Sequence, residues 1–175
     1  MSELRTNRIV PRDGLPSGSS GGIIQIKSAT KTDRQLSNSS AYVDVTGMSV
    51  TITPTRSDSK IFIMIHVHVG GDQASYHAYR VLRDSTVVTQ GTHATGNRTN
   101  VSFGGRIDQD YDNYIMSFNF LDSPSTTSAI TYKLQVSDAF DSSNRNIVIN
   151  GTGDDANDTY TLCGTSTITV MEVSG

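Results

Sequence analysis

The sequence predicts an all-β protein, an antiparallel sandwich or barrel of about eight to ten short strands, on three observations. Strand-length apolar alternations recur along the chain with polar turn clusters between them. No i, i+3, i+4 apolar pattern persists for three turns, so neither crossover helices nor a helical core is signalled. The apolar fraction is only 35% and the mean hydropathy −0.31. Ser, Thr, Asn, Asp and Gly make up the balance, and these suit pleated surfaces and turns better than helices.

Taken in order, residues 1–22 (MSELRTNRIVPRDGLPSGSSGG) hold two of the four prolines, Pro11 and Pro16, and end in a Gly/Ser run. Such a segment cannot bury enough apolar surface to fold alone. It predicts an extended N-terminal arm, distinct from a single domain over residues 23–175. Leu4, Ile9, Val10 and Leu15 are its candidate anchors on a neighbouring chain, and Arg5, Arg8 and Arg12 suit acidic groups on a partner.

Ile23–Ala29 reads as a first strand, with Arg34–Leu36 and Tyr42–Val45 as short edge pieces. In Met48–Thr53, Met48, Val50 and Ile52 point inward, and Pro54 ends the strand because proline cannot donate to a ladder. Lys60–Gly71 (KIFIMIHVHVGG) is the predicted centre. Its odd positions from Ile61 to Val69 are all β-branched and apolar, which gives one dry face. Its even face carries Phe62, Met64, His66 and His68; such a half-apolar face needs cover, and a second subunit is the candidate.

Further strands are predicted at Tyr76–Arg83, Thr86–Gln90, Arg98–Phe103, Tyr114–Asp122, Ala129–Val136, Ile147–Ile149 and Thr165–Val173. Tyr114, Met116, Phe118 and Phe120 share a face, with Phe118 and Phe120 as a core lid. First and last strands are both long and apolar, so both can pair inside a sheet, as in a jelly-roll-like β-sandwich. No repeat of 20 to 50 residues argues for a propeller or solenoid.

A chain of 175 residues can bury roughly 70% of its unfolded surface, so stability requires neither disulfide nor metal. A net charge of −3 and a pI near 5.7 lack the basic footprint of nucleic-acid binding. No apolar run is long enough to span a membrane, and residues 1–22 have no apolar h-region, so neither insertion nor secretion is signalled. The sequons at Asn38, Asn97, Asn100, Asn150 and Asn157 follow from the Asn/Ser/Thr bias. Cys163, alone in TLCGTST, reads as a small buried hydrophobe.

Candidate chemistry is sparse. His66 and His68 share a strand face at a spacing that can chelate a metal if a third ligand approaches, and are otherwise interface or surface histidines. DQDYDN (Asp108, Asp110, Asp112, Asn113) resembles the start of a calcium loop but lacks the sixth-position Gly and the bidentate Glu, as do Asp154, Asp155, Asn157 and Asp158. His77 and His93 read as surface residues. No nucleophile elbow or carboxylate pair is nominated, so the sequence predicts no enzyme, no catalytic residue and no cofactor. The rival of another class is a glycan-degrading or metal-dependent enzyme. Tyr76, Tyr79, Tyr111 and Tyr114, in polar surroundings, are the candidate receptor or glycan contacts.

Several stretches carry a resemblance: LRTNRIVPRDGLPSG, SGGIIQIKSATKTD, VDVTGMSVTITP followed by SDSKIFIMIHVHVG, RVLRDSTVV, SFNFLDSPSTTSAITYKLQV, INGTGDD and STITVMEVSG. Across residues 4–175 the chain resembles small virion proteins of tailed phages of marine bacteria, including cyanophages, described as tail-fibre or virion structural proteins. The resemblance implies a virion component made in the bacterial host cytoplasm: a trimeric fibre head or surface appendage, or alternatively a capsid decoration stabilising the shell. It implies a homotrimer with Phe62, Met64 and His66 at the threefold interface. Residues 1–22 would attach to tail or capsid proteins, and host-surface glycan or protein is a further candidate partner. The loops around Tyr76, Asn97, Asp108 and Ser142 are where members of the family are expected to diverge.

Overall fold

The computed structural model describes residues 22–139 and 145–174. Among them are eleven strands and no helix: β1 (Ile23–Lys31), β2 (Gln35–Ser37), β3 (Val43–Ile52), β4 (Lys60–Gly71), β5 (Ser75–Arg83), β6 (Thr86–Thr89), β7 (Phe103–Ile107), β8 (Asn113–Asp122), β9 (Ile130–Asp138), β10 (Ile147–Ile149) and β11 (Ser166–Val173). The arm and its anchors Leu4, Ile9, Val10 and Leu15 lie outside the described residues.

One sheet runs β1-β11-β4-β10-β2 with β8 also on β4; the other runs β3-β9-β5-β6 with β7 also on β5. All pairings are antiparallel. β11 covers Lys60–His66 of β4 and β10 covers Val69–Gly71, while β8 pairs Ile61–Gly70 and so takes the other flank. Stripped of the short strands, the sheets are β1-β11-β4-β8 and β3-β9-β5-β7, with first and last strands side by side. That strand order is a jelly roll.

The central strand has the predicted ends. Ile61, Ile63, Ile65, Val67 and Val69 are fully buried, each contributing about 1.5–3 kcal/mol by leaving water. They face Val50, Ile52, Tyr79, Val81, Tyr132, Leu134 and Val136 of the second sheet in one core. Between β7 and β8 the sandwich is closed by stacked rings: Tyr79 on Phe103 at 4.8 Å, and Phe103 on Phe118 at 5.3 Å. Phe118 and Phe120 thus pack against the core as the predicted lid.

Two predicted strand limits need correction. Tyr42–Val45 and Met48–Thr53 are parts of one strand, β3, because Gly47 at φ +82° absorbs a register shift between Asp44 and Ser49. The strand predicted over Arg98–Phe103 begins only at Phe103, where pairing with Tyr79 starts. Residues 91–102 form instead a loop held by Gly91 N–H on the Val101 carbonyl and Ser102 N–H on the Tyr79 carbonyl.

Candidate functional surfaces

The outer face of β1-β11-β4-β8 is organised by register. Ile26 of β1 lies opposite Met171, Met171 opposite Phe62, and Phe62 opposite Leu121 of β8. These four side chains make an apolar row across four strands, about 14 Å long at ordinary strand spacing. Ile26 and Leu121 are exposed, Met171 and Phe62 half-buried. Val173 and Ile23 extend the row at the Lys60 end, and Met64 lies one pleat further on. The remaining outward positions carry Ser28, Thr30, Thr167, Thr169, His66, His68, Ser117, Asn119 and Ile115. None of these outward positions is a carboxylate, and Lys60 is their lone primary amine. Of the predicted interface trio, Phe62 and Met64 belong to the apolar part, whereas His66 sits in the polar part with Nδ1 2.9 Å from Ser117 Oγ. Sequence reasoning found the β4 contribution and missed Ile26, Met171 and Leu121, whose alternation is visible but whose register is not.

His68 is half-buried against Gly164, and burial pulls its imidazole below the ordinary value. Among the described residues no three His, Cys, Asp or Glu side chains converge on a metal position. The aspartates of the DQDYDN turn are engaged locally. Asp108 pairs with Arg106 at 2.7 Å, Asp110 Oδ1 accepts the Gln73 N–H, and Asp112 Oδ2 accepts the Gln109 N–H at 3.1 Å.

The four candidate tyrosines separate. Tyr79 is fully buried, which corrects its assignment as a receptor contact. Its ring stacks in the core, and its hydroxyl lies 3.1 Å from His77 Nδ1. His77, read as a surface residue, is also buried. It shares a strand face with Ser75 and Tyr79, Ser75 Oγ lies 3.1 Å from its Nε2, and burial pushes its pKa down to about 4. Cys163, expected inside, is exposed, because β11 begins three residues later, at Ser166.

Tyr76, Tyr111 and Tyr114 are exposed. Tyr76 is covered on one face by the Arg106 guanidinium, 5.5 Å from the ring centroid. The Asp112 carboxylate pushes the Tyr114 phenol above its ordinary value. Tyr111 lines a cavity of about 360 Å³ together with Asp154, Asp158, Tyr160 and Thr161. Tyr160, at 74% the most exposed large hydrophobic side chain among the described residues, was not singled out from sequence. It sits in a stretch whose polar bias reads as an ordinary loop.

This cavity lies at the Gly71 end of β4. Gly70 packs on the Gly151 carbonyl, Thr152 and the Asp112 carbonyl, and Gly153 packs on Gly71. The apolar row lies at the other end of the strand, about 30 Å away for nine extended residues. The chain also enters β1 at that far end, where Ser174 N–H donates to the Gly22 carbonyl at 3.0 Å.

No family model matches the chain and no curated protein matches it. Among solved structures, the infectious bursal disease virus Gx strain is similar at 13% identity and a TM-score of 0.47, covering 98% of this chain and 42% of that one. The VP2 subviral particle of the same virus is similar at 11% identity and a TM-score of 0.43, covering 97% of this chain and 46% of that one. The chain therefore spans less than half the length of these structures, and its jelly-roll assignment rests on the strand order described above.

Proposed function

We propose that the chain is a non-enzymatic, self-associating structural subunit of a virion, a fibre head or surface appendage, with the outer face of β1-β11-β4-β8 packed on copies of itself about a threefold axis. The observation that carries this reading is the row Ile26–Met171–Phe62–Leu121. A continuous apolar stripe on one sheet face is the composition of an interface core, where charged residues are depleted. Identical copies can approach it closely because no carboxylate, and only Lys60 among lysines and arginines, lies on the outward positions. The resemblance of its motifs to small virion proteins of marine phages, an expectation from the sequence, supports the particle assignment. Residues 1–22 act as the attachment arm in this reading. Their attachment at the Lys60 end, opposite the exposed Tyr/Asp loops, suits an appendage anchored at one end and presenting the other.

Sedimentation of the full chain tests it. Wild type sediments as a trimer, and Phe62→Asp with Met64→Asp gives a monomer with an unchanged β-sheet circular dichroism spectrum. Both side chains lie on the outer face, partly in water and outside the buried core, so the fold tolerates the change. Leu121→Asp, at the sheet edge, serves as an independent variant. A monomeric wild type, or variants that sediment with it, would remove the interface from this face.

A further inference from the structure

We propose that the Tyr111/Tyr160 cavity is a saccharide-binding pocket for neutral or amino sugars without acidic substituents. This goes beyond the assembly role and stands on separate residues, at the opposite end of β4 from the apolar row. The cavity of about 360 Å³ falls at the lower end of the ~300–1,000 Å³ range of small-molecule sites. Two of its five lining residues are tyrosines that keep 60% and 74% of their surface in water. A phenol ring offers a flat apolar face for the C–H side of a pyranose and a hydroxyl at its tip. The neighbouring carboxylates accept hydrogen bonds from sugar hydroxyls, and their charge assists those bonds.

The loops that carry these groups are braced before any ligand arrives. Asp158 Oδ1 accepts the Tyr160 N–H at 2.9 Å, the Thr161 N–H at 3.1 Å and the Thr161 hydroxyl at 3.1 Å, which leaves Oδ2 for a ligand. Asp154 N–H donates to the Asp110 carbonyl at 3.0 Å, tying the second loop to the one that carries Tyr111. Asp112 N–H closes that loop on the Gln109 carbonyl at 3.0 Å. Pre-ordered loops lower the entropic cost of binding. Ligand class follows from charge: Asp154 and Asp158 in the wall, with Asp110 and Asp112 adjoining, repel phosphate, uronate and sialate groups. A bare divalent cation lacks a converging ligand set among the described residues.

The test is a printed array of neutral, amino-sugar, uronic and sialylated oligosaccharides probed with the full chain, followed by calorimetric titration of the strongest neutral or amino-sugar hit. Wild type binds neutral or amino sugars. Tyr160→Ala and Tyr111→Ala each weaken binding at least tenfold, Tyr160→Phe retains most of it, and His93→Ala, exposed in the 91–102 loop and outside the cavity, leaves it unchanged. The chain contains no Trp, so quenching of tyrosine emission that is lost in Tyr160→Ala gives a second readout. An array with no neutral or amino-sugar hit, a preference for acidic glycans, or binding untouched by the Tyr111→Ala/Tyr160→Ala pair would overturn the proposal. Sedimentation of that pair as wild type separates its failure from failure of the assembly reading.

Discussion

His77 Nδ1 lies 3.1 Å from the Tyr79 hydroxyl, both side chains being buried on the inner side of β5. A neutral imidazole donates on one side and accepts on the other, so it satisfies both Ser75 and Tyr79; a charged one would carry an unpaired charge into the core.

Burial depresses the His77 pKa from 6.5 to about 4. The unfolded chain therefore binds a proton that the folded one does not, and stability falls as pH drops from 6.5 toward 4. The contribution is full above 6.5, and the loss across that window is about 3 kcal/mol at 1.36 kcal/mol per pH unit. Chemical denaturation at a series of pH values should show this slope in wild type. It should be flattened in His77→Gln.

A second pH window belongs to Glu172. Burial of its carboxylate opposes ionisation, but donors outweigh it and hold the pKa below the usual value. Gln25 Nε2 donates to Oε2 at 2.6 Å, and the Thr55 N–H and hydroxyl both donate to Oε1 at 2.7 Å. A depressed carboxylate stabilises above its unfolded value and loses that contribution as pH falls through the folded one. Acid unfolding below about pH 4.5 should therefore shift upward in Glu172→Gln. At neutral pH the same variant should lose about 1–3 kcal/mol, since an amide N–H₂ would face a donor.

Asp122 of β8 joins the two sheets. Its Oδ2 accepts Arg83 Nη1 of β5 at 2.6 Å and the Tyr132 hydroxyl of β9 at 2.7 Å. Asp122→Ala should cost about 2–4 kcal/mol, because Tyr132 is fully buried and its hydroxyl is left without an acceptor. Tyr132→Phe should cost less, since donor and polar group leave together. Urea midpoints of the two variants decide the order.

Gly70→Ala would bring a methyl group against the Gly151 carbonyl, to 2.9 Å from the Thr152 Cα and to 3.0 Å from the Asp112 carbonyl. Backbone cannot yield as a side chain can, so a loss of about 1–3 kcal/mol is expected in thermal melting. The same loops carry Tyr111 and Tyr160, so saccharide affinity should fall in Gly70→Ala without a change at either tyrosine.

Much of this architecture was legible because β4 obeys period two without interruption: five β-branched residues at odd positions leave one burial solution, and the strand has its predicted ends. The same rule applied to β5 would have placed Ser75, His77, Tyr79 and Val81 on one face and drawn His77 inside with the tyrosine that needs a partner. Reading His77 as an isolated polar residue hid this. Register is a different matter. The opposition of Phe62 to Leu121 and Met171 depends on loops and on the bulge between Ile23 and Gln25, and no local pattern encodes it. The loops of Tyr111 and Tyr160, far apart in sequence, are likewise joined by the Asp154 N–H on the Asp110 carbonyl, so half of the cavity could be named in advance and half could not.

Among the described residues β11 follows every other strand, yet it lies between β1 and β4. During synthesis, therefore, β1 has no hydrogen-bonded strand partner and the Lys60–His66 flank of β4 stays open until residues 166–173 leave the ribosome, and this long-range closure makes folding slow. Met171 is also a middle link of the outer apolar row, so a chain lacking β11 cannot present that row complete. A chain cut before residue 166 would therefore keep Ile26, Phe62 and Leu121 but lose the link that makes them one row.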